Sequence, residues 1–198
     1  MSYTLVIIAL TSVATLVAWS NPKWQNDGIM FPYRVWHMRE WHTLVTSALL
    51  HANGTHLLFN MITLFFFGPA LEGILGPSLY LTLYIVSMIV AGIPSVIRHK
   101  DNPNYATLGA SGAVSAVLFS YILYMPLSKI YLFFVPIGIP AALFGVMYLG
   151  YTFWESRRGH GTINHDAHLA GAIAGILLTI ALDPMSIQIF LHAITGGR

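Results

Sequence analysis

Cysteine is absent from the 198-residue chain, which rules out disulfides, Cys-ligated metals and a thiol nucleophile. Charge is nearly as scarce: Asp, Glu, Lys and Arg together make 8% of the residues, against about 25% in an average soluble domain. The formal net charge of +2 is mild, and no basic run or aromatic-basic patch is present, which sets nucleic acid aside as a partner. The histidines form no H-E-x-x-H arrangement and carboxylates are few, so a metal enzyme is disfavoured and neither metal nor other cofactor is expected. No internal repeat with a period of about 20 to 50 residues and no low-complexity segment is present.

What the chain has is apolar surface. Hydrophobic residues make up 56% of it and the mean hydropathy is +0.69. Several runs reach the roughly 20 mainly apolar residues that a helix needs to cross about 30 Å of hydrocarbon. The expected fold is all-α: a polytopic membrane protein whose residues 1–198 form one six-helix membrane domain. The spans are expected at about 3–19, 46–72, 79–97, 111–126, 130–153 and 165–182. Pro136, Gly138 and Pro140 should kink or break the fifth. The first span lacks the basic leader and small-residue cleavage site of a signal peptide, so it is expected to stay as a helix. Residues 20–45 are rich in Pro, Trp and Tyr and read as an interfacial loop. The run Leu64 to Phe67 reads as lipid-facing.

With six spans, the second, fourth and sixth start from the same side of the membrane, and their polar residues cluster at those starts. The second carries His51, His56 and Asn60, the fourth Gly109, Ser111 and Gly112, and the sixth His165, Asp166 and His168. His56 and Asn60, four apart, share one helical face. Polar groups at such depth usually face a bundle interior or a water-filled cavity.

A serine needs a base within about 3 Å to become a nucleophile, and a histidine is the usual one. Ser111 and His168 can supply that pair. Ser111 stands at a helix N-terminus, where free N–H groups and the helix dipole favour an anion. The flanking Gly109 and Gly112 let a substrate approach the backbone closely. These amides, with the side chains of His56 and Asn60, form a candidate oxyanion hole. No carboxylate completes a triad. Asp166 is two residues from His168, about 200° around the helix, and Glu72 is roughly 18 Å along the helix from Asn60. The bland alternatives are small-residue helix packing for the glycine-serine motif and interhelical hydrogen bonding for His56 and Asn60.

The ordered set of motifs resembles the rhomboid family of intramembrane serine proteases in its minimal six-helix form. "HANGTHLLFN" resembles the family's second-helix signature, implying that His56 and Asn60 line the oxyanion hole with Ser111. "GPALEGILG" resembles a structural turn, carrying Gly68, Glu72 and Gly76. "GASG" implies Ser111 as nucleophile, and "AHLAGAIAG" implies His168 as base, with Gly171 and Gly175 allowing close packing. The implied activity is a Ser-His dyad endopeptidase that cleaves transmembrane segments of membrane-protein substrates within the lipid bilayer. The alternative is a rhomboid-like pseudoprotease, a binding or quality-control protein without hydrolysis.

The chain departs from the family at two places. Trp41-His42 stands where the family has Trp-Arg, and Ser115 stands four residues after the nucleophile, where well-known bacterial members carry a Tyr stacked on the catalytic imidazole. Something else must hold the ring of His168. His165 is the rival base, but only His168 has the Leu-Ala-Gly continuation. A transporter is disfavoured because the polar groups crowd one end of the bundle. Lys23, Arg34, Arg39, Arg98, Lys100, Arg157 and Arg158 all lie in the loops at the site end, so the positive-inside rule would turn that end to the cytoplasm. The family resemblance implies the reverse, and the expectation follows it: a cell (inner) membrane protein whose site opens away from the cytoplasm.

Overall fold

The computed structural model describes residues 2–132, 136–158 and 164–196. The chain runs through α1 (Tyr3–Ser20), the short α2 (Pro22–Gly28), α3 (Pro32–Met38) and α4 (Thr43–Thr46), and a 3₁₀ turn at Ser47–Leu49. Then come α5 (Gly54–Leu75), α6 (Pro77–His99), α7 (Ser111–Tyr124), strands β1 (Lys129–Tyr131) and β2 (Gly138–Pro140), α8 (Ala141–Arg158), α9 (His165–Leu182) and α10 (Met185–Thr195). Among the described residues, α1, α5, α6 and α9 are long and apolar enough to cross a membrane. The architecture is a polytopic helical bundle, and the protein is an integral, multi-pass membrane protein.

α7 sits at the centre. Every one of its residues except Ser111 and Tyr121 is buried. One side packs on Met61, Leu64, Tyr80, Leu83 and Tyr84 of α5 and α6. The other packs on Ile130, Ala141 and Ala172, with Phe144 and Tyr148 of α8. At 14 residues and about 1.5 Å per residue, α7 is about 21 Å long, shorter than the roughly 30 Å of hydrocarbon.

Hydrogen bonds fix which ends lie together. Glu72, late in α5, accepts from Ser2 Oγ (2.7 Å), the Tyr3 amide (2.7 Å) and the Thr4 amide (3.0 Å), and so caps the start of α1. The free N–H groups and positive dipole of a helix start make a carboxylate the fitting partner. Thr4 Oγ1 adds a bond to Glu72 at 2.8 Å and meets Tyr80 Oη of α6 at 2.9 Å. At the opposite end of α1, Thr15 Oγ1 donates to the Leu49 carbonyl (2.9 Å) and Trp19 Nε1 to the His51 carbonyl (2.8 Å). α1 is thus antiparallel to α5, and α5, α7 and α9 all start at the end that holds His51.

Three local expectations are corrected. The fifth span, placed from residue 130, starts as a helix only at Ala141, because residues 129–131 and 138–140 pair as an antiparallel hairpin. Pro136 and Pro140 cannot donate to a helical ladder, and a hairpin does not ask them to. Residues 133–135 lie outside the described residues. Gly68 and Glu72 lie within α5, and the turn itself is made by Gly76 at φ 76°. A Cβ on Gly68 would meet Thr4 Cγ2 at 2.5 Å, so this glycine admits α1 and shapes no turn. In the run Leu64 to Phe67, Phe65 and Phe66 are exposed, but Leu64 is fully buried and the Phe67 ring sits 5.1 Å from Tyr121. The helical period divides the run between lipid and core.

Removing the Glu72 carboxylate leaves the start of α1 without its acceptor. Glu72→Ala is expected to destabilise the protein by about 3 kcal/mol, read as a lowered thermal midpoint in detergent micelles.

Candidate active site

At the seam between α7 and α9, backbone meets backbone. A Cβ on Gly171 would collide with the Gly112 carbonyl, and one on Gly175 with the Ala116 carbonyl. One turn further, Ser120 Oγ donates to the Gly175 carbonyl (3.2 Å) and Thr179 Oγ1 to Ser120 Oγ (2.7 Å). Residues 112, 116 and 120 therefore face residues 171, 175 and 179 in a parallel register, each set spaced by one helical turn. Ser111 and His168 belong to the first turns of these two helices. The register brings their helix starts together, and both residues are half-buried.

The segment leading into Ser111 is strapped from several directions. Thr107 exchanges two backbone bonds with Met30 (2.9 and 3.2 Å), and the Gly109 amide donates to the Ser47 carbonyl (2.9 Å). The Ala110 amide donates to His51 Nε2 (3.3 Å). His51 Nδ1 is 3.2 Å from Thr15 Oγ1. With Nε2 accepting, the proton of a neutral His51 sits on Nδ1 and points at Thr15. Gly109 has φ 125°, a left-handed backbone that suits glycine. A Cβ there would lie 2.8 Å from His56 Nε2, so the His56 ring covers the chain two residues before Ser111. His56 is in turn edge-on to His51, with ring centroids 4.8 Å apart. Asn60 is buried and donates from Nδ2 to the His56 carbonyl (2.9 Å). The arrangement thus gathers His51, His56, Gly109 and the start of α7 at one place. A cavity of about 40 Å³ lies behind this segment, bordered by Ser47, Thr107, Gly109, Gly112 and Asn164. That is room for a water molecule among polar partners.

A family model described as a rhomboid domain matches residues 38–184. The chain belongs to the rhomboid family. It is 30% identical over 183 residues to the RHOMBOID-like protein 12, mitochondrial, of Arabidopsis thaliana, covering 83% of this chain and 54% of that protein. It is 32% identical over 143 residues to Rhomboid protease GluP of Bacillus subtilis, covering 72% of this chain and 26% of that protein. It is 27% identical over 177 residues to Rhomboid protease GlpG of Haemophilus influenzae, covering 87% of this chain and 88% of that protein. The chain therefore spans about half the length of the Arabidopsis relative and about a quarter of GluP.

Two residues of this rhomboid's site escape a reading of the sequence. Asn164 accepts from the Ala167 amide (3.0 Å) as the N-cap of α9, and its Nδ2 donates to Ser95 Oγ (2.8 Å) and Thr107 Oγ1 (3.0 Å). One side chain thus ties the helix of His168 to α6 and to the segment of Ser111. An Asn just ahead of an apolar helix is a cap signal, but its two outward bonds are visible only in three dimensions. The other residue is Tyr148 of α8. Its Oη lies 3.1 Å from His168 Nδ1 and 2.9 Å from Ser115 Oγ. Its ring is nearly parallel to that of His168, at 8° with centroids 6.4 Å apart. His165, the rival base, is buried with its ring edge-on to Tyr151 (5.6 Å). Asp166 is held by Arg98 at 2.8 Å.

A methyl group at position 171 has nowhere to go but into the backbone of α7. Gly171→Ala is expected to force the two helices apart at a cost of about 1 to 3 kcal/mol. The measurement is a lower thermal midpoint in detergent micelles.

Proposed function

We propose that this rhomboid is an intramembrane serine endopeptidase acting through a Ser111–His168 dyad on transmembrane segments of membrane-protein substrates. The single observation that carries the reading is the glycine-on-carbonyl seam between Gly171 and Gly112, since Ser111 adjoins one partner and His168 lies one turn before the other. The protease names of its relatives GluP and GlpG support hydrolysis.

Ser111 Oγ attacks the scissile carbonyl carbon while His168 Nε2 takes the hydroxyl proton. The carbonyl oxygen becomes an oxyanion, which the Ser111 amide at the start of α7 and the His56 and Asn60 side chains receive. Collapse breaks the C–N bond as the imidazolium passes its proton to the leaving amine. Water, deprotonated by the same imidazole, then hydrolyses the acyl-enzyme and frees Ser111. The dyad needs no carboxylate: Asp166, near His168 in sequence, is engaged with Arg98, and Glu72 caps α1 at the opposite end of the bundle. Gly68 and Gly76 serve the scaffold. The substrate helix must unwind locally, because an intact helix shields its carbonyls.

The decisive experiment is cleavage of a model transmembrane substrate by the purified chain. Ser111→Ala and His168→Ala are expected to lose activity by about 10³-fold or more, and His56→Ala or Asn60→Ala by about 10² to 10³. Fluorophosphonate labelling that persists in Ser111→Ala would rule the assignment out, and a folded wild type that cleaves nothing would favour a pseudoprotease. We place the site end away from the cytoplasm of the cell (inner) membrane. Because the chain has no cysteine, Asn102→Cys supplies a single thiol in the exposed loop before α7. A membrane-impermeant maleimide is expected to label it from outside intact cells.

A further inference from the structure

The hydroxyl of Tyr148 is shared between Ser115 of α7 and His168 of α9, at 2.9 Å and 3.1 Å, although Tyr148 itself belongs to α8. Three helices therefore meet at one oxygen beside the imidazole. The direction of the two bonds matters for the chemistry. A base that takes the Ser111 proton on Nε2 must present a lone pair there, and in a neutral imidazole the proton then sits on Nδ1. Nδ1–H can only donate, so Tyr148 Oη must accept from it. The Tyr148 O–H then has to find its own acceptor, and Ser115 Oγ, 2.9 Å away on α7, is placed to be it. If Tyr148 donated to Nδ1 instead, the proton would sit on Nε2 and the ring could not act as a base toward Ser111.

We propose that Tyr148 and Ser115 together form the positioning relay of the base: they select the Nδ1–H tautomer of His168 and turn its Nε2 toward Ser111. The two rings are nearly parallel with centroids 6.4 Å apart, so they meet end to end through the Oη–Nδ1 contact and the restraint on the imidazole is that one bond. When His168 takes the proton, its Nδ1–H still donates to Tyr148 Oη, now as a bond to a charged group, which is stronger than its neutral counterpart. The relay therefore acts mainly in the transition state. Neither member touches the substrate, so both are positioning residues. The inference rests on the dyad reading above and extends it to the residues that hold the dyad.

Tyr148→Phe keeps the ring and its packing and removes only the oxygen. With the model substrate, kcat is expected to fall about tenfold to a hundredfold at unchanged KM, the loss of one hydrogen bond to a group that becomes charged. The thermal midpoint should change little. Ser115→Ala is expected to cost less, a few-fold in kcat. In the Tyr148→Phe background it should cost nothing more, because Ser115 acts on the base only through the lost oxygen. Purely structural contributions would instead add. Wild-type cleavage that Ser111→Ala abolishes upholds the dyad reading independently. Given that, a wild-type kcat in Tyr148→Phe, a rise confined to KM, or full additivity of the two substitutions overturns the relay and leaves the dyad standing. A wild type without cleavage overturns both.

Discussion

Backbone lying directly on backbone, with no side chain between, is the constraint from which the site follows. Gly112 and Ala116 offer carbonyls to Gly171 and Gly175, and a single methyl group at either α9 position would separate the helices. In hydrocarbon there is little hydrophobic gain in pressing two apolar helices together, so close van der Waals contact and the few buried hydrogen bonds must do it. The Ser120, Thr179 and Gly175 bonds continue the same seam one turn down. Everything above the seam inherits its register, including the separation of Ser111 from His168.

A second layer of polar contacts takes that register and makes it exact at the level of individual atoms. His51 holds the Ala110 amide, Ser47 the Gly109 amide, and Met30 the backbone of Thr107. Asn164 then joins Thr107 to the start of α9. These are short-range, directional bonds in surroundings where an unpaired donor is costly. They explain why Met30, Ser47 and His51, far from Ser111 in sequence, hold the segment that leads into it.

Much of this was legible in the residues, and the reasons are physical. Apolar runs announce helices, and glycines in the pattern 171 and 175, or a serine between glycines at 109 to 112, mark places where backbone is approached closely. What stayed hidden were partners joined by folding alone. Tyr148 carries no local mark, because its meaning lies in Ser115 and His168 on two other helices. The absence of a Tyr at position 115 signalled that the imidazole needed another support, but not which helix would bring it. The strand pair of residues 129–131 and 138–140 was obscured because a short apolar stretch with two prolines fits a broken helix and a strand pair alike. Gly68 looked like part of a turn because the resemblance to the family implied one, while its actual neighbour is Thr4, distant in sequence.

The central helix that raises the hydroxyl also acts as a stopper. Below Ser111, α7 is buried except at Tyr121, and its two other serines are already bonded, Ser115 to Tyr148 and Ser120 to the Gly175 carbonyl. Further along, Tyr124 Oη donates to Asp183, so the hydroxyls that follow Ser111 on the buried face of α7 are each engaged with protein partners. A hydroxyl whose proton is already given to a neighbour is a poor stepping stone for water, so the far end of α7 stays plugged while its start stays open to polar company.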